Sequence, residues 1–150
     1  MVDSHEYLVG TKIPNFDCLD DEGKPVNTSD IEGKWTVMFF YPKDESPGCT
    51  LQSCSFRDKY EEFKELGVQI FGVSSDSVSS HRKFKEKYNL QYSLLSDKGG
   101  ILAKNLRLKK NLGLIAARVT LIINPEGLII YAHTSQLGVM GHVRKALNEI

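Results

Sequence analysis

The sequence predicts a three-layer α/β sandwich around a mixed β-sheet, and three observations predict it. Residues 35–41, W-T-V-M-F-F-Y, form an unbroken apolar run of strand length, as a strand covered on both faces requires. Helical and strand-like periods then alternate along the chain, the pattern that builds parallel strands with crossover helices. Near the end, two β-rich runs flank N-P-E-G at 124–127, a turn with Pro in its second position, which adds an antiparallel hairpin.

Each element has its own signal. The first 34 residues are loop-rich, with D-D-E-G-K at 20–24 as a tight turn between short strands. After the 35–41 strand, a Pro-flanked loop leads into a helix from about Cys49. Its apolar residues Phe56, Tyr60, Phe63 and Leu66 recur at helical spacing, and Gly67 ends it. V-Q-I-F-G-V-S at 68–74 is the second strand, followed by an amphipathic helix over 77–88 with Phe84 and Tyr88 on one face. A short strand at 93–95 and a helix at 100–105 come next, then the hairpin of 119–123 and 128–131. A last helix from Val139 aligns Val143, Ala146, Leu147 and Ile150. Repeats and internal linkers are lacking, so residues 1–150 are expected to form one domain.

Composition narrows the function. Of the 150 residues, 41% are hydrophobic and 25% charged, as in an ordinary globular protein. The 19 basic residues equal the 19 acidic ones, which argues against nucleic-acid or anionic-membrane partners. The short basic run R-L-K-K at 107–110 reads as a solvated loop. No apolar run approaches the ~20 residues of a membrane span, and the start, M-V-D-S-H-E-Y, lacks a secretion pattern. A cytoplasmic location is therefore expected. Three cysteines, an odd number, speak against a secreted disulfide framework and for catalysis or metal binding.

Two of those cysteines stand together in P-K-D-E-S-P-G-C-T-L-Q-S-C at 42–54. Cys49 falls where a buried strand hands over to the first turn of a helix. Unpaired N–H groups and the positive end of the helix dipole favour thiolate there. Gly48 allows close backbone approach, and Ser46 brings a hydroxyl within reach of the sulfur or of a polar substrate. An inert buried cysteine is the plain alternative, weakened by the preceding Pro-Gly and by Cys54 nearby. A zinc site would need Cys18 or the scattered His5, His81, His133 and His142, none at ligand spacing. A thiol-disulfide reductase would carry C-x-x-C, where this chain has C-T-L-Q-S-C, and a proline just before the strand at Val119, which it lacks.

The stretch F-Y-P-K-D-E-S-P-G-C-T-L-Q-S-C-S-F-R-D resembles the peroxiredoxins, with their signature P-x-x-x-T/S-x-x-C, and among them the bacterioferritin comigratory protein or peroxiredoxin Q group. The similarity continues through G-V-S-S-D-S-V-S-S-H-R-K-F-K-E-K-Y-N-L and L-L-S-D-K-G to A-R-V-T-L-I-I-N-P-E-G. It implies a thioredoxin fold and a thiol peroxidase acting on hydroperoxides. In that reading Cys49 is the peroxidatic cysteine, Pro42 shields it, and Ser46 hydrogen-bonds the peroxide. Arg118 is the active-site arginine and Cys54 the resolving cysteine. The resemblance further implies a disulfide between Cys49 and Cys54, reset by thioredoxin or a similar dithiol. It also implies a monomer without metal or organic cofactor.

Two departures stand out: Ser46 where threonine is commoner, and Gln52 where glutamate is usual. A redox sensor or chaperone using the same cysteine pair is the alternative function. Cys18 reads as a small buried side chain in a strand, His81 and His133 as structural residues without a nameable partner, and Lys43 with Asp44 as an exposed charge pair.

Overall fold

The computed structural model describes residues 5–108, 110–111, 115–116 and 119–133. Its strands are β1 (Asp17–Asp20), β2 (Pro25–Asn27), β3 (Trp35–Phe40), β4 (Val68–Ser74), β5 (Ser93–Ser96), β6 (Lys110–Asn111), β7 (Ile115–Ala116), β8 (Val119–Ile123) and β9 (Ile129–His133). The helices are α1 (Pro47–Asp58), α2 (Tyr60–Glu65), α3 (Val78–Tyr88) and α4 (Ile101–Asn105). Seven strands form one sheet in the order β2-β1-β5-β4-β3-β8-β9, and β6 pairs with β7 apart from it. β3, β4 and β5 run parallel, while β8 and β9 on one side and β1 and β2 on the other run antiparallel. This is the mixed sheet the sequence predicts.

Side chains alternate across the sheet at the period of two that strands impose. Val37 and Phe39 of β3, Ile70 of β4, Leu94 of β5 and Ile122 of β8 face one way, under Phe56 of α1, Phe63 of α2 and Phe84 of α3. Met38, Phe40, Phe71, Val73, Leu95 and Leu121 face the other way, against Leu102 of α4, Leu106 and Ile31. The result is three layers, with α1, α2 and α3 on one face and α4 on the other.

Gly72 sits where the first of these cores is tightest. A Cβ there would come 2.8 Å from both the Phe39 ring and Leu94 Cδ2, so only glycine lets Phe39 lie across β4. Phe39 then stacks on Phe56 with centroids 4.5 Å apart, and this seats α1 on the sheet.

The single helix expected between Cys49 and Gly67 is two helices. Lys59 leaves helical geometry (φ −105°, ψ 7°), and its N–H reaches back to Phe56 O at 3.3 Å, a tightened 3₁₀-type closure. Neither Pro nor Gly marks the break. The first helix begins at Pro47, two residues earlier than expected, because proline's fixed φ suits the first helical position. The hairpin's second strand begins at Ile129 and extends to His133. The expected final helix from Val139 and the residue Arg118 lie outside the described residues.

Candidate active site

The loop from Tyr41 to Ser46 carries the chain off the end of β3 and into α1. Ser46 is the N-cap in extended conformation, and its carbonyl takes the first helical hydrogen bond from Thr50 N at 2.9 Å. The Ser46 hydroxyl donates to Lys43 O at 3.0 Å, which closes the loop on itself. Just before it, Glu45 adopts a left-handed backbone (φ 69°), a conformation that L-residues with a side chain visit seldom. Cys49 follows in the first turn of α1, fully buried, with Gln52, Ser53 and Phe56 on the same inward face. Backbone N–H groups of that turn have no helical acceptor and surround it with positive partial charge.

Cys54 lies on the same helix and is half-buried. Five residues of α-helix turn it ~140° away from Cys49 and raise it ~7.5 Å. Two contacts hold this part of α1 down: the Tyr92 hydroxyl donates to Ser53 O at 2.7 Å, and Arg57 Nη1 donates to Tyr88 O at 2.8 Å. Burial drives the Tyr92 phenol far above its ordinary value, so it remains a donor.

The expectation for Asp44 was wrong. Lys43 is exposed, but Asp44 is buried and takes part in a network that spans three elements. Its Oδ1 accepts from the Tyr41 hydroxyl at 2.6 Å, and its Oδ2 accepts from Ser80 Oγ at 2.9 Å. The same Oδ2 lies 2.7 Å from His81 Nδ1, while His81 Nε2 is 3.0 Å from Leu95 O. The Asp44 backbone N–H donates to Asp76 Oδ2 at 2.8 Å, and Ser74 Oγ donates to that same oxygen at 2.6 Å. Burial and then the Asp44 carboxylate push the Tyr41 phenol well above its usual range. His81, read from sequence as partnerless, therefore has two partners. His133 also has a neighbour, its ring stacking on Tyr131 at 5.5 Å.

Among the described residues, one group, Asp44, Asp76 and His81, brings ligand-type atoms within 4.8 Å of one another. All three side chains are already engaged in the hydrogen bonds just described. Cys18 is buried in β1 on the opposite face of the sheet from Cys49, as its strand context suggested. Burial, followed by the nearby carboxylates of Asp97 and Asp17, raises its thiol to about 11. The structure thus gathers Pro42, Ser46, Cys49 and Cys54 on one loop and helix.

The model of the AhpC/TSA family matches residues 9–132. Peroxiredoxin Q, chloroplastic, of Oryza sativa subsp. japonica is 39% identical over 139 residues, which are 92% of this chain and 64% of that protein. The chain thus spans 64% of the length of that relative. Peroxiredoxin Q, chloroplastic, of Sedum lineare is 40% identical over 92% of this chain and 75% of its own length. Among solved structures, the Xanthomonas campestris bacterioferritin comigratory protein, studied for its alkyl peroxide reduction activity, superposes with a TM-score of 0.80 at 30% identity, covering 89% of this chain and 90% of that one. Fold, signature and sequence identity converge: the chain belongs to the AhpC/TSA family, within the peroxiredoxin Q and bacterioferritin comigratory protein group of peroxiredoxins.

Proposed function

We propose that this chain, acting as one domain, is a thiol peroxidase that reduces hydrogen peroxide and small organic hydroperoxides. The observation that carries the reading is Cys49, fully buried in the first turn of α1 directly behind the Ser46 cap, with Cys54 on the same helix. The Cys49 thiolate attacks one peroxide oxygen, the O–O bond breaks, and the other oxygen leaves as water or an alcohol after taking up a proton. Cys49 becomes a sulfenic acid. Positive charge from the helix-start N–H groups and from Arg118 stabilises the departing oxygen, and Ser46 orients the peroxide while Pro42 shields the sulfur.

Cys54 then attacks the sulfenic sulfur, releasing water and forming the Cys49–Cys54 disulfide. A dithiol reductant, thioredoxin or a protein like it, reduces that bond and is itself oxidised. On an intact helix the two Cα atoms stand ~8.7 Å apart, whereas a disulfide needs them within about 7 Å. Oxidation therefore unwinds α1 from Cys49 through at least Cys54. A monomer in the cytoplasm is part of the same proposal. Among the described residues, no helix is long and apolar enough to cross a membrane.

Intact mass after one equivalent of peroxide tests the cycle. Loss of about 2 Da reports the disulfide, and in Cys54→Ser a gain of about 16 Da reports the trapped sulfenic acid. Continued peroxide consumption with a dithiol present marks an enzyme, and a single oxidation that stops there would refute this reading in favour of a sensor. Amide exchange over residues 48–58 should be faster in the oxidised form.

A further inference from the structure

The buried network around Asp44 touches the loop that carries Pro42 and Ser46, yet no step of the peroxide chemistry uses it. Its centre is a pair of ionisable side chains almost wholly removed from water, Asp44 at 1% and His81 at 0% side-chain exposure. Removing two such groups from water costs several kcal/mol each unless every polar atom is met. Here they are met. Leu95 O can only accept, so His81 Nε2 carries a proton; a further proton lies between Nδ1 and Asp44 Oδ2. Tyr41 and Ser80 supply two more donors to the carboxylate, and the Asp44 N–H is tied to Asp76.

The chain positions make this arrangement a clamp. Tyr41 and Asp44 belong to the loop, Ser80 and His81 to the first turns of α3, Asp76 to the connection between β4 and α3, and Leu95 to β5. Two residues after Asp44 stands Ser46, and three after that Cys49. The carboxylate thus holds the middle of the loop against α3 at a fixed place relative to the sheet. A satisfied network in a low-dielectric setting is stiff, and its loss leaves a buried acceptor unpaired.

We propose that His81 is a positioning residue for the reaction at Cys49. Acting through Asp44, it anchors the 41–48 loop and so sets the balance between the folded peroxide pocket and the unwound form of α1 from which Cys54 reacts. This inference rests on the peroxidase reading, but the clamp itself is measurable without turnover. The role predicts opposite effects on two steps: a weakened clamp slows attack on peroxide and speeds disulfide closure.

Two substitutions separate the positioning role from a merely structural one. His81→Asn places an amide donor near the Nδ1 position and keeps the bond to Asp44, while His81→Gln places it near Nε2 and keeps the bond to Leu95 O. Both remove the ring, so general loss of packing affects them alike. In single-turnover experiments with hydrogen peroxide, His81→Gln should oxidise at Cys49 about tenfold more slowly than wild type and exchange amides of 42–54 about tenfold faster, the scale set by leaving a buried charged acceptor one donor short. Its disulfide should close faster and its over-oxidation fall. His81→Asn should stay within about threefold of wild type on each measure. Tyr41→Phe, which leaves α3 intact, should shift all three measures in the direction of His81→Gln by a smaller factor. Equal behaviour of the Asn and Gln variants, or attack and closure slowing together, would overturn the proposal. A wild-type protein that consumes no peroxide would refute the peroxidase reading alone, and the exchange measurements would still decide the clamp.

Discussion

Cys18 and Cys49 are both buried cysteines packed on the same sheet, one on each face. Cys18 stands in a strand, with carboxylates of Asp17 and Asp97 close enough to raise its thiol further after burial has done so. Cys49 stands in the first turn of a helix, where N–H dipoles point outward past the end of a parallel strand. Both are buried, yet carboxylates flank the one and helix-start N–H groups the other. The comparison teaches that a buried cysteine is classified by the sign of the partial charges around it, since thiolate rather than thiol reacts.

The sharpest way to break that contrast is exchange of each sulfur for oxygen. Cys49→Ser should lose peroxide consumption entirely, because a serine hydroxyl has no comparable anion at neutral pH, whereas Cys18→Ser should keep wild-type turnover with a dithiol reductant. A Cys18→Ser enzyme as dead as Cys49→Ser would dissolve the distinction. Next in size is the packing beneath Cys49. Gly72→Ala drives a methyl into Phe39 and Leu94 and should cost about 1–3 kcal/mol of stability in urea unfolding. An unmoved midpoint would show that Phe39 yields freely and does not seat α1.

Alkaline pH sharpens the other side of the comparison. An unfolded cysteine titrates near about 8.5, so a folded thiol raised to about 11 stabilises the protein fully below the first value and progressively less as pH climbs toward the second. Cys18→Ala should therefore show a shallower fall in Tm across that window than wild type does. Parallel curves would mean that Cys18 titrates normally. The smallest expected effect belongs to Glu45. Glu45→Gly relieves the left-handed backbone but loosens the unfolded chain and loses the exposed pair with Lys87, for a net change within about 0.5 kcal/mol. A loss well beyond that would show Glu45 holding the Ser46 cap in place.

What the sequence revealed follows the range of the forces involved. Residues 35–41 read as a buried strand because every position but Thr36 is apolar or aromatic, and the turn at 124–127 read as a hairpin because its residues dictate their own dihedral angles. Cys49 was legible for the same local reason, since strand, proline, glycine and helix start adjoin it in the chain. Asp44 and His81 were not legible. They lie 37 residues apart, and each taken alone resembles an ordinary surface charge or a helix-start histidine. The break at Lys59 also escaped, because nothing in K-Y-E-E-F opposes a helix; the interruption appears only in the backbone geometry of the folded chain.

That break has a consequence for wear. α1 and α2 have separate attachments: Tyr92 and Arg57 hold the first, and the buried ring of Phe63 seats the second above β4. A disturbance that melts α1 reaches a joint where the helical ladder is already interrupted, and α2 remains in place. In the proposed cycle the joint acts as a firebreak, confining each opening to about a dozen residues and leaving α2 over the neighbouring parallel strands. Strands of that kind, once bared, expose apolar surface that favours aggregation, so under the proposed oxidation the joint limits how much of the sheet each opening uncovers.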